Sequence, residues 1–281
     1  MRVQHHQIEQ DGLRWHVVTS GPEDAPPVLL LHCWTGNWTV WQKTMTYFEG
    51  RYRFIVPDHL GFGQSDKPRG DFYRIQQQAE RSYWILNHFG YEYAHVMGHS
   101  MGGQMALTLA GMYPQAVEKL IVVDPAVTGK IYPMPSYLLM LPLMALARRN
   151  RTLPLEFYIQ LGRRLPFISV PMMNVYFPRP SEYRDLALYW CGQITADGQA
   201  QSSAWAQKAV LDWDVTPLLP SITAPTLALW GEQDYCVAVS ECDVLKAHIR
   251  NFQEVRFPRV GHMPMVEVWE QYISQVEQFW A

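Results

Sequence analysis

Five short apolar runs set the limits on what this chain can fold into. They are Pro27-Val28-Leu29-Leu30-Leu31-His32, Arg53-Phe54-Ile55-Val56-Pro57-Asp58, Ala94-His95-Val96-Met97, Leu120-Ile121-Val122-Val123-Asp124-Pro125 and Pro225-Thr226-Leu227-Ala228-Leu229-Trp230-Gly231. Each is nearly continuous rather than alternating, as expected of strands buried on both faces. Helical patterns separate them: Phe72 to Phe89, a face of Met101, Met105, Leu109 and Met112 stopped by Pro114, and Val237 to Ile249. Strands alternating with helices specify a parallel sheet covered on both sides. Val3 to Glu9 pairs with Leu13 to Thr19 at one end of the chain, and Gln253 to Phe257 supplies the last strand, which makes eight. A closing helix carries the stripe Trp269, Tyr272, Ile273, Val276 and Trp280.

The rhythm breaks between Ala126 and Lys208. No buried-strand run occurs there, and helical patches are interrupted by Pro133, Pro135, Pro142, Pro154, Pro166, Pro171, Pro178 and Pro180. The expected organisation is therefore a core domain of residues 1–125 and 212–281, with residues 126–211 inserted as a helical cap.

Composition narrows the functional classes. Hydrophobic residues make up 48% of the 281 and charged residues 17%, so a large core is available and disorder is not expected. A net charge of −3 gives no reason to expect a nucleic-acid partner. Cys33, Cys191, Cys236 and Cys242 follow no zinc-ligand spacing, so no metal site is expected. The polar opening from Met1 to Asp11 has no apolar leader core, and the expected location is the cytoplasm. The sequence is silent on oligomeric state.

Chemistry gathers at the carboxyl ends of strands in a parallel sheet. Ser100 stands at one such end, in Gly98-His99-Ser100-Met101-Gly102, between a strand and a helix. A sharp turn there would force the serine into a strained conformation and project its hydroxyl, with Gly98 and Gly102 allowing close approach. A plain Gly/Ser turn with Ser100 as helix N-cap is the alternative. Asp234 follows another strand and His262 follows the last, while Asp124, also at a strand end, is a rival acid. A serine hydroxyl needs a base within hydrogen-bond reach, and a histidine needs an acid to hold its tautomer.

Four stretches together resemble the α/β-hydrolase-fold serine hydrolases of the capped, esterase- and lipase-like branch. They are His32-Cys33-Trp34-Thr35-Gly36, Asp58-His59-Leu60-Gly61-Phe62-Gly63-Gln64-Ser65, Gly98 to Gly103, and Gly261-His262 with Pro264 and Glu267. The resemblance implies a mostly parallel eight-stranded sheet with an inserted cap. It also implies a triad of Ser100, Asp234 and His262, and an oxyanion hole from the backbone N–H groups of Trp34 and Met101. The family's usual His-Gly is His32-Cys33 here, so a side chain must fit a turn that glycine relaxes. The Asp58 to Ser65 stretch is expected to be architectural.

The activity so implied is hydrolysis of a carboxylic ester through an acyl-enzyme, without a cofactor. Alternatives are C–C hydrolysis of the meta-cleavage-product type, whose members commonly carry Trp after the catalytic histidine where this chain has Met263, and a cofactor-free haloperoxidase-like hydrolase. A non-catalytic binder is a further alternative, disfavoured by the intact triad. Epoxide hydrolases and haloalkane dehalogenases of the fold use an aspartate nucleophile, which Ser100 argues against.

Ile131 to Ala147 holds no charged residue, and residues 126–211 hold nine Lys and Arg against four Asp and Glu. This points to a small hydrophobic ester as partner, and to contact of the cap with a lipid surface. Core packing of that run is the competing reading. Trp34, His99, Tyr137, Leu139, Met140 and Met263 are the expected substrate contacts.

Overall fold

The computed structural model describes residues 1–130 and 199–281, with 142, 145, 146, 148, 149 and 183 between them. Tyr137, Leu139 and Met140, and most of the expected cap, lie outside the described residues.

Strands β1 (Val3–Gln10), β2 (Leu13–Ser20), β3 (Pro27–Leu31) and β4 (Arg53–Pro57) open the chain, with α1 (Gln42–Tyr47) between the last two. Then come α2 (Ile75–His88), β5 (Ala94–His99), α3 (Met101–Met112) and β6 (Val117–Val123). From residue 199 onward follow α4 (Gln199–Leu211), β7 (Thr226–Gly231), α5 (Glu241–His248), β8 (Phe252–Phe257), α6 (Pro264–Glu267) and α7 (Trp269–Trp280). The described strands form one eight-stranded sheet in the order β1-β2-β4-β3-β5-β6-β7-β8. β1, β2 and β4 pair antiparallel, and every pairing from β4 through β8 is parallel.

Burial explains why the strand runs are continuous. Along β3, Leu29 and Leu31 enter one core layer and Val28 and Leu30 the other. The first layer packs beneath α2, α3, α4 and α5, through Ile85, Met105, Val210 and Leu245 among others. The second packs beneath α1 and α7, through Met45, Tyr272, Ile273 and Val276. Both faces of the sheet are therefore apolar, and only the edge strands β1 and β8 are mostly exposed or half-buried.

Two helices start later than periodicity suggests. α2 begins at Ile75 rather than Phe72, and the Tyr73 hydroxyl donates to the Pro68 carbonyl ahead of it. α5 begins at Glu241 rather than Val237, because Val237 is held in the preceding loop. Its N–H donates to Asp234 Oδ1, and its carbonyl accepts from Trp230 Nε1. The Asp58 loop is architectural in its bonding: the carboxylate accepts from the Trp38 and Gln64 N–H groups and from His16 Nδ1 at 2.7 Å. No described helix is long and apolar enough to cross a membrane.

Candidate active site

The link from β5 to α3 is one residue, Ser100, with φ 56° and ψ −116°. Its N–H donates to the Val123 carbonyl of β6, and its own carbonyl accepts from Gln104 in α3. The turn is possible only because the chain around it is bare. A Cβ on Gly98 would lie 2.1 Å from the Gly102 carbonyl oxygen, and one on Gly102 would lie 2.1 Å from the Leu31 carbonyl oxygen. The G-x-S-x-G spacing is thus a steric requirement of the turn.

Ser100 Oγ donates to His262 Nε2 at 2.9 Å, and His262 Nδ1 donates to Asp234 Oδ2 at 2.7 Å. The three residues come from the ends of β5, β7 and β8, and all are buried. The other Asp234 oxygen accepts the Cys236 and Val237 N–H groups at 2.7 and 2.9 Å, so the carboxylate is clamped by backbone. Glu267 Oε1 accepts the Gly261 N–H and steadies the loop that carries His262. Burial disfavours the imidazolium of His262, but the Asp234 carboxylate outweighs it and Cys236 lies within hydrogen-bond reach. The net effect holds the base well above the ordinary histidine value.

The loop after β3 brings Trp34 towards this group. His32 Nδ1 donates to the Cys33 carbonyl at 2.8 Å, and the Gly36 N–H donates to the same oxygen at 3.0 Å. That carbonyl belongs to the peptide unit whose N–H is Trp34's. In a planar trans peptide the two point in opposite directions, so pinning the oxygen aims the N–H. Among the described residues, no hydrogen bond engages the backbone N–H of Trp34 or Met101. The positive φ of this loop falls on Thr35, at 63°, and not on Cys33, so the side chain at 33 is accommodated without left-handed strain there. Burial pushes the Cys33 thiol up to about 11, which leaves it protonated. The Trp34 indole N–H donates to the Ser203 carbonyl of α4 at 2.8 Å and ties the loop to that helix.

Two expected substrate contacts are placed elsewhere. His99 is fully buried, and its Nε2 donates to the His262 backbone carbonyl at 2.7 Å, so it braces the base from behind. Met263 is fully buried in the core layer beneath α1 and α7, and its carbonyl accepts from Val266 and Glu267. Neighbouring a site residue in sequence does not fix which face a side chain takes. Asp124 directly follows β6 with φ 43°, and its Oδ1 accepts the Gly231 N–H at 2.9 Å. It does not bond the His262 ring, whose Nδ1 is held by Asp234. His99, Asp124 and His262 do bring ligand-type atoms within 4.8 Å of one another. Both ring nitrogens of His262, one of His99 and one oxygen of Asp124 are already engaged in hydrogen bonds. The arrangement is that of a hydrogen-bonded protein network.

Comparison with known proteins agrees with this fold. A sequence profile described as the alpha/beta hydrolase fold matches residues 26–162. The chain has the α/β-hydrolase fold. It is 27% identical to epoxide hydrolase 4 of Mus musculus, covering 87% of this chain and 70% of that protein. It is also 27% identical to lipase 1 of Psychrobacter immobilis, covering 92% and 78%. A bacterial membrane phospholipase A superposes with a TM-score of 0.77 at 26% identity, over 99% of this chain and 85% of that one. The enol-lactonase of Burkholderia xenovorans LB400 superposes with a TM-score of 0.80 at 18% identity, over 98% and 99%, a likeness of fold.

Proposed function

We propose that the protein is a serine hydrolase that cleaves carboxylic esters of hydrophobic substrates through an acyl-enzyme. The observation that carries this reading is the unbroken chain from Ser100 Oγ through the His262 ring to Asp234. Ser100 attacks the carbonyl carbon while His262 takes its proton. The oxyanion is met by the N–H groups of Trp34 and Met101. His262 then returns the proton to the leaving alcohol, and water, activated by the same base, releases the acid. Asp234 keeps the ring in the Nδ1–H tautomer and stabilises the imidazolium. Every group required is supplied by the chain.

A serine at the elbow separates this reading from epoxide opening, despite the epoxide hydrolase relative. The lipase relative from Psychrobacter immobilis supports an ester substrate. The apolar, proline-rich run from Ile131 to Ala147 supports a hydrophobic acyl or alcohol group. The test is labelling with a fluorophosphonate probe, followed by turnover of 4-nitrophenyl esters of increasing acyl length beside a vinylogous C–C substrate and a styrene-type epoxide. Labelling at Ser100 with faster turnover of medium-length esters than of acetate supports the proposal. Turnover of the C–C substrate or the epoxide alone overturns it.

A further inference from the structure

Asp124 follows β6 and Asp234 follows the neighbouring strand β7, and both carboxyl groups converge on the His262 ring: Asp234 Oδ2 accepts from its Nδ1 at 2.7 Å, and a carboxyl oxygen of Asp124 lies within 4.8 Å of a ring nitrogen. Both are buried, Asp124 completely. The groups that face this pair come from three elements: His262 after β8, His99 at the end of β5, and Cys236 in the loop after β7, with Cys33 lying beyond His262 and Cys236. Two carboxylates this close in a buried site cannot both be ionised, so one proton must be shared out between them.

Counting donors decides which residue holds it. Asp234 accepts three hydrogen bonds, from the Cys236 and Val237 amides and from His262 Nδ1. Asp124 accepts one, from Gly231, and its Oδ2 is buried with no donor. Charge settles where the donors are. An oxygen with no donor is what a hydroxyl would occupy, since a hydroxyl gives a hydrogen bond rather than needing one.

We propose that Asp124 is a neutral carboxylic acid whose Oδ2–H donates to the Asp234 carboxylate and thereby fixes that carboxylate on His262. Asp124 is then a positioning residue, acting through Asp234. Burial and the Asp234 charge both push its ionisation upwards, in keeping with this role. Its left-handed backbone, costly for most residues, is accepted where the chain must turn that carboxyl towards β7. The catalytic part of the inference rests on the serine-hydrolase reading; the protonation does not.

The test compares Asp124→Asn, whose amide reproduces both hydrogen bonds and tolerates positive φ, with Asp124→Gly, which keeps the backbone and removes the donor. Infrared spectra of protein labelled with ¹³C-aspartate at mildly alkaline pH should show one protonated carboxyl stretch, lost in Asp124→Asn. That variant should keep at least about a third of wild-type kcat/KM, whereas Asp124→Gly loses about 100-fold. As pH rises, wild-type activity should fall together with the infrared band, and Asp124→Asn should not follow it. Absence of the band in the wild type overturns the proposal, and this measurement needs no variant to fold. A folded Asp124→Asn as impaired as Asp124→Gly also overturns it, as does an identical alkaline loss in both proteins. Failure of fluorophosphonate labelling would remove the hydrolase reading and leave the band in place.

Discussion

At the scale of single residues, the site divides its work between strain and hydrogen bonding. Ser100 sits at φ 56° so that its hydroxyl meets His262 rather than the helix below. Ser100→Ala removes one oxygen and keeps the turn, so kcat should fall by about 10⁴-fold or more while the urea midpoint stays near that of the wild type. Comparable turnover would sink the mechanism. Asp234→Asn offers His262 an amide in place of a carboxylate and disturbs its tautomer, so a loss of about 10⁴-fold is expected. The same change at Asp124 should cost far less, and the reverse order would move the acid to β6. Because Asp234 more than offsets burial at His262, the ring binds its proton more tightly than free imidazole. A base must be neutral to act, so kcat/KM should rise with pH, with a midpoint above the ordinary 6.5. A profile flat from about pH 5 to pH 7 would contradict this.

At the scale of elements, the tightest constraint is between α3 and β3. A methyl on Gly102 would lie 2.1 Å from the Leu31 oxygen and 2.6 Å from that of His32, both backbone atoms that cannot step aside. Gly102→Ala should therefore lift α3 from the sheet and drag the loop that carries Trp34. A loss of about 3 kcal/mol in denaturant unfolding is expected, together with lost turnover. Gly50→Ala, where φ is 79° but nothing lies within 4 Å, is the control and should cost only about 1 kcal/mol. Near-equal losses would show that the contact is not what positions the helix. The elements themselves were legible because burial on both faces writes a strand as an unbroken apolar run. Their ends were less so, since side-chain bonds such as that from the Val237 amide to Asp234 delay α5 without leaving a trace in periodicity. Ser100, Asp234 and His262 could be read from their places at strand ends. His99 and Met263 could not be placed, because adjacency in sequence says nothing of which layer a side chain enters. That Asp124 and Asp234 follow neighbouring strands was hidden too, for it depends on β6 lying beside β7 in the sheet.

At the scale of the whole molecule, the buried histidines govern how stability should respond to acid. His32, His59 and His99 are each at most 1% exposed. Burial lowers His32 to about 4, against partial opposition from Asp58 and the Cys33 carbonyl, and it lowers His59 and His99 well below 6.5. Above pH 6.5 these rings are neutral in both folded and unfolded chains and contribute no pH dependence. Between 6.5 and about 4 the unfolded chain takes up protons that the fold refuses, so stability falls as pH falls. For His32 alone the loss reaches roughly 2 kcal/mol by pH 5. His262 works in the opposite sense, since its raised pKa favours the folded state on acidification, and so does Asp124, whose ionisation burial and the Asp234 charge push upwards, but these are two groups against three rings. Asp58 is held below the ordinary carboxylate value of 3.8: burial raises it, but His16, His32 and two amides outweigh that. It therefore loses its contribution only under stronger acid and cannot account for a change in this window. The urea midpoint should accordingly drop between about pH 7 and pH 5, where surface carboxylates remain ionised. A midpoint constant across that interval would mean that these rings gain partners for their second proton, and that the packing of His32 against His59, 4.0 Å between ring centres, opens more readily than its burial implies.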